Sequence, residues 1–133
     1  MPWLIDLAKK HGVPRHVGRG ESIWSNVHLD DLVELYLLAL AKAPAGVFYY
    51  VENGESSMRA ACRAIGRMLG LGERTEPMTL AEAAAEWGEG AANYTMGSNS
   101  RVRALRARRE LGWAPHRPSL LDDIEHGSYR ETA

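Results

Sequence analysis

Residues 30–51 read DDLVELYLLALAKAPAGVFYYV, a helical pattern, a turn and then a strand pattern. Asp30, Asp31 and Glu34 put carboxylates at the positive end of a helix predicted from Asp30 to about Lys42. From Leu35 to Ala41 this helix has almost no polar face, so it is expected to be buried on most sides. Pro44-Ala45-Gly46 is a turn. Val47-Phe48-Tyr49-Tyr50-Val51 is a continuous β-branched and aromatic run, expected of a parallel strand covered on both faces. A helix feeding such a strand is a unit of an α/β fold, and a lone domain of this size rarely encloses a helix so completely.

Working toward the N-terminus, Ile23 to His28 reads as extended and Gly18-Arg19-Gly20-Glu21-Ser22 as a loop. Val13 to Gly18 is a short strand candidate, and Pro2 to Gly12 a short helix. In the other direction, Ser57 caps a helix ending at Gly70. Met58, Ala61, Cys62, Ile65 and Met68 form its apolar face, with Arg59, Arg63 and Arg67 on the opposite stripe. Glu73 to Glu76 is a short strand candidate. Thr79-Leu80-Ala81-Glu82 is a capping box that opens a helix to Trp87. Gly88, Gly90 and Gly97 mark a loop. Further helices are predicted from about Ser100 to Leu111 and from Ser119 to near Tyr129. The class is α/β with few strands and about five to six helices, a single partial domain over residues 1–133. Only one strand is convincing, and it lacks neighbours.

The chain is 45% hydrophobic and 25% charged, an ordinary globular balance. A net charge of −1 from 16 basic and 17 acidic residues argues against a charge-driven nucleic-acid binder. A single cysteine, Cys62, excludes an internal disulfide framework and a cysteine-rich zinc site. It lies on an apolar helix face, where a small buried hydrophobe is expected. No apolar run reaches the roughly 20 residues of a membrane span, and Met1 to Asp6 does not have the basic-then-apolar start of a secretory signal. A cytoplasmic protein is therefore expected, and the Asn93-Tyr94-Thr95 glycosylation pattern carries no meaning without secretion.

Val27-His28-Leu29-Asp30-Asp31-Leu32 resembles the VHVDD strand-to-helix segment of extended short-chain dehydrogenases/reductases, the family of NAD-dependent epimerases and dehydratases. The helix, the strand at 47–51, the Asn53-Gly54 turn and the next helix follow in that family's order. Leu111-Gly112-Trp113-Ala114-Pro115 resembles its LGW-x-P motif, and Ser119-Leu120-Leu121-Asp122-Asp123-Ile124 its closing helix. The resemblance is to the C-terminal part of the family. It implies part of a Rossmann-like fold without the nucleotide-binding half, and a substrate-binding role in an enzyme that uses NAD or NADP.

The residues that would carry the family's catalysis are not found. Gly18-Arg19-Gly20 continues to Ile23 instead of a third glycine, with no helix directly after it, so it fails the dinucleotide fingerprint. The family's catalytic pair is Tyr-x-x-x-Lys. Four positions after Tyr36, Tyr49, Tyr50, Tyr94 and Tyr129 stand Leu40, Asn53, Gly54, Ser98 and Ala133. No catalytic or cofactor-binding residue is therefore expected in this chain.

The resemblance makes the Arg19–His28 segment one wall of a substrate pocket, with Arg19, Trp24, Asn26 and His28 as candidate contacts. Each has a plainer reading. Gly18-Arg19-Gly20 is an anion nest or a simple turn. Trp24 stands where sugar-nucleotide epimerases often have a phosphate-binding arginine, which argues for a less polar substrate, or it is a core or rim aromatic. His28, Asp30 and Asp31 are metal ligands or an acidic helix start, and the second is favoured because no third cluster is near in sequence. Arg101, Arg103, Arg106, Arg108 and Arg109 are a phosphate-binding row or a solvated face. A chain with an open strand edge and an uncovered apolar helix is expected to self-associate into a homo-oligomer.

Overall fold

The computed structural model describes residues 1–131. Helix α1 (Pro2–His11) starts with proline in its first turn and stops at Gly12, whose φ of 68° is the left-handed conformation that ends helices. Strands β1 (Arg15–Val17) and β2 (Ile23–Ser25) flank the Gly18–Gly20 turn but do not pair with each other. Strand β1 runs parallel to β4 (Glu76–Met78), with Arg15 opposite Glu76 and Val17 opposite Met78. Strand β2 runs antiparallel to β3 (Glu55–Ser57), with Ile23 opposite Ser57. The α/β class holds, but as two short ladders among helices.

Helix α2 (Leu29–Lys42) follows β2, and α3 (Met58–Met68) follows β3 directly. The Ser57 hydroxyl accepts from the Ala60 amide at 3.1 Å and caps α3. Helix α3 is the centre of the main core. Its Met58, Ala61, Cys62, Ala64 and Ile65 pack with Leu4, Ile5 and Ala8 of α1 and with Ile124 of α7 (Leu120–His126). Burial pushes the Cys62 thiol up to about 12, so it is inert. Gly66 lets this helix touch the chain after it. A Cβ there would lie 2.2 Å from the Gly72 carbonyl oxygen.

A second cluster joins Leu35 of α2 to Ala107 and Leu111 of α6 (Leu105–Leu111), with Ala104 and Trp113. A third joins Leu7, Met78, Ala92 and Ala83 of α4 (Leu80–Trp87). The capping box that opens α4 is present as expected. Thr79 Oγ1 accepts from the Glu82 amide at 3.1 Å and Glu82 Oε2 accepts from the Thr79 amide at 2.6 Å. No helix among the described residues is long and apolar enough to cross a membrane.

Several expectations are corrected. Residues 47–51 form no ladder, because no other described strand pairs with them. Their exposure alternates. Tyr49 and Val51 pack on the second cluster, while Phe48 and Tyr50 point outward, edge to face at 5.0 Å. Helix α2 is likewise buried on one side only, leaving Val33, Tyr36, Leu37 and Leu40 exposed. The glycine-marked loop at 88–97 is helical, as α5 (Glu89–Ala91) followed by a π-helical turn over Ala92–Met96. The helix expected from Ser100 begins only at Leu105, because the Ser100 backbone exchanges hydrogen bonds with Ile23 and Ser25 of β2. The strand expected at 73–76 is displaced to β4. The last helix breaks at Gly127, after which the Asp123 carboxylate accepts from the Ser128 amide and starts α8 (Ser128–Glu131). These breaks raise the number of helices above the expected five to six.

Candidate functional site

Asn26 and His28 sit between β2 and α2, where the chain turns from ladder to helix. The Asn26 amide donates to the Gly54 carbonyl at 3.0 Å, and its own carbonyl accepts from the Asn53 amide at 2.7 Å. Glu52 holds this 52–54 turn. Its buried carboxylate accepts from the Gly54 amide at 3.0 Å and the Ala104 amide at 3.1 Å. Burial pushes the Glu52 carboxyl pKa up, but the two amides and the Arg108 and Arg103 charges together outweigh it and hold it below the usual range. His28 is the N-cap of α2. Its Nδ1 accepts from the Asp30 amide at 3.2 Å, which leaves Nε2 to carry the ring proton.

Asp31 fixes the opposite wall. It is fully buried, and its carboxylate accepts from the His116 amide at 3.0 Å, the Arg117 amide at 3.1 Å and the Asn53 side chain at 3.3 Å. Its backbone carbonyl accepts from the Trp113 indole at 2.9 Å. The 113–117 segment is thereby tied to the start of α2, and Pro118 and Leu120 follow it. They close a cavity of about 640 Å³ that Asn26, His28, Leu32 and Tyr129 also line. The arrangement offers the His28 imidazole, the Asn26 amide, the Ser128 hydroxyl and the Asp30 and Asp123 carboxylates among apolar walls. It can hold and orient a small, partly polar molecule.

The structure brings Asn26 and His28 into this cavity and leaves Arg19 and Trp24 out of it. The Trp24 indole donates to the Ser98 carbonyl at 3.0 Å and its ring packs on the main core, the rim-aromatic role. Arg19 is largely exposed, pairs with Glu21 at 3.0 Å and lines a separate cavity beside His16. His28, Asp30 and Asp31 do not converge as ligands. Asp31, Glu34 and His116 do have ligand atoms within 4.8 Å of one another, but Arg117 already lies 3.8 Å from Glu34 and 3.7 Å from Asp30. Each of the five arginines from Arg101 to Arg109 pairs with a carboxylate, Glu55, Glu52 or Glu110. Sequence reasoning missed Pro118 and Tyr129, which lie some ninety residues away along the chain and carry no signal that points to His28.

It also missed His16. The ring is buried, with Nδ1 donating to the Gly18 carbonyl at 3.1 Å and Nε2 accepting from the Thr75 hydroxyl at 3.2 Å. Burial lowers its pKa, and the charges of Arg59 and Arg63 lower it further against the opposing Gly18 bond. The folded ring therefore takes up a proton less readily than the unfolded one. Its contribution to stability is complete above about pH 6.5 and is lost as pH falls below that value. Urea unfolding at pH 8 and pH 5.5 checks this. The midpoint should drop at the lower pH in the wild type, and less in His16→Gln.

The Gly18–Gly20 turn passes from β1 into β2, not onto the helix N-terminus that a pyrophosphate needs.

No protein-family model matches the chain. It is 30% identical to a protein named Oxidase ucsJ from an Acremonium species, over 92% of this chain and 40% of that protein. It is 31% identical to an uncharacterised protein of Saccharomyces cerevisiae, over 93% of this chain and 41% of the other. A protein of Schizosaccharomyces pombe, also uncharacterised, is 28% identical over 97% of this chain and 43% of its own length. The chain thus spans about two fifths of the length of the curated relatives it matches. Among solved structures, UDP-glucuronic acid 4-epimerase from Bacillus cereus in complex with NAD superposes with a TM-score of 0.63 at 15% identity. The match covers 94% of this chain and 35% of that one. The fold is therefore that of part of a Rossmann-type epimerase, and the chain is similar in sequence to an oxidase.

Proposed function

We propose that this chain is the C-terminal, substrate-side part of an NAD(P)-dependent oxidoreductase of the epimerase, dehydratase or reductase type, one partial domain that is not catalytic by itself. The observation that carries this reading is the fold likeness, in which nearly all of this chain matches about a third of an NAD-bound epimerase. In the whole enzyme the rest of the protein would hold NAD or NADP and provide the acid/base pair, and the bound cofactor would supply hydride-transfer chemistry at a substrate carbinol. This chain supplies one wall of the substrate pocket through Asn26 and His28. Arg19 and Trp24 of the same segment lie outside that cavity, with Trp24 bracing the segment against the core.

The open apolar face supports the same reading. Val33, Tyr36, Leu37 and Leu40 of α2 are all exposed, as are Phe48 and Tyr50. Such a patch marks a surface that another part covers, and the extra length of the relatives makes the rest of a longer protein its occupant. The same face supports a second reading, a self-associating module derived from such enzymes and no longer catalytic.

Intact mass spectrometry of the native gene product, followed by cofactor titration, separates the two. The first reading expects a product more than twice this length that binds NAD or NADP saturably. A native product of 14.7 kDa overturns it.

A further inference from the structure

We propose that the cavity formed by His16, Arg19, Arg59, Arg63, Arg74 and Thr75 is a binding site for a small phosphorylated molecule. This goes beyond the oxidoreductase reading and does not rest on it.

The argument starts on α3. Arg59 and Arg63 are four residues apart on one face, a spacing at which like charges repel. Neither pairs with a carboxylate among the described residues. Their neighbour Arg67, one turn on, takes two, Glu73 at 2.8 Å and Glu125 at 2.5 Å. Glu73 is the one acid in the cavity wall, and it is turned to Arg67. Arg19 and Arg74 reach the same cavity while their acids, Glu21 and Glu76, are not part of its lining. Of the four arginines in the wall, Arg19 and Arg74 are paired and Arg59 and Arg63 are the two whose charge no carboxylate among the described residues compensates.

The cationic groups are also positioned. The Arg59 amide donates to the Gly20 carbonyl at 2.9 Å, and its guanidinium donates to the Arg19 carbonyl. Gly20 makes this approach possible. Its φ is +67°, and a Cβ there would lie 2.7 Å from the His16 ring and 2.9 Å from Arg59 Cβ. The 18–20 turn is thus pressed against the start of α3, with Arg59 between them.

Ligand class follows from shape and charge. The cavity holds about 410 Å³, within the range of small-molecule sites. Guanidinium groups match phosphate oxygens with paired, charge-assisted hydrogen bonds, and the Thr75 hydroxyl adds a neutral partner. A nucleic-acid strand would need a basic surface around the cavity. The net charge is −1, and the arginine row at 101–109 is neutralised.

Calorimetric titration of the full chain with sodium pyrophosphate at low salt tests the site. Arg63→Glu is the diagnostic variant, because Arg63 is exposed and makes no hydrogen bond or ion pair among the described residues, so the fold survives its loss. Arg109→Glu on α6 changes the net charge equally and lies outside the cavity. The wild type should bind with saturation, Arg63→Glu roughly tenfold or more weaker, and Arg109→Glu within about twofold of wild type. No saturation in the wild type, or equal losses in the two variants, overturns the proposal.

Discussion

Asp31→Ala should destabilise the folded chain by about 3–5 kcal/mol, the largest single-site effect expected here. The carboxylate is fully buried and is the acceptor for two backbone amides and the Asn53 side chain. Removing it leaves three donors with no acceptor, each worth about 1–3 kcal/mol, less whatever water reaches the partly buried ones. Asp31→Asn should recover only part of the loss, since its oxygen can accept on one side while its NH2 meets a donor on the other. Urea unfolding measures the effect, and a loss below about 1 kcal/mol would show that the network is dispensable. Hydrogen exchange gives a second readout. The His116 and Arg117 amides should exchange fast in Asp31→Ala, because the loop that carries Pro118 to the His28 cavity is no longer tied down.

The second large effect concerns association. Leu37 and Leu40 are 62% and 84% exposed on α2. The isolated wild-type chain should run as a dimer or larger species in light scattering, and Leu37→Glu with Leu40→Glu should make it monomeric. Stability of the monomer should change by no more than about 0.5 kcal/mol, since neither side chain has a buried partner to lose. In a longer gene product the same pair would place two carboxylates in a dry contact, at a cost of several kcal/mol, and NAD(P) binding should fall with it. A wild-type chain that remains monomeric at high concentration removes the self-association reading. A longer product indifferent to both substitutions removes the reading in which its own remainder covers this face.

How much was legible depended on the range of the interaction. The Thr79–Glu82 capping box, the Ser57 cap and the opposed apolar and arginine stripes of α3 all arise within a few residues, and each appears as the sequence requires. The segment at 47–51 has strand composition but needs a neighbour for its ladder, and the described residues provide none. The glycines at 88–97 suggested a loop, yet Ala92 and Met96 are buried in the core and hold that stretch helical.

The candidate site divides in the same way. The resemblance of the segment around His28 to the VHVDD motif pointed to Asn26 and His28 as candidate contacts, because that motif is a local run of sequence. It could not separate them from Trp24, which turns into the core from the same short segment, nor from Arg19, which joins arginines of α3 at a different cavity. Sequence by itself determined helices α1 to α4, the Ser57 and Thr79 caps and the amphipathic face of α3, since those follow from backbone bonds and side-chain periodicity within a turn or two. Tertiary structure alone decided that Asp31 binds the 116–117 amides, that Pro118 and Tyr129 line one cavity with His28, and that Arg59 and Arg63 pair with no carboxylate among the described residues. Those outcomes depend on contacts between segments distant along the chain, and no local pattern encodes which distant partner arrives.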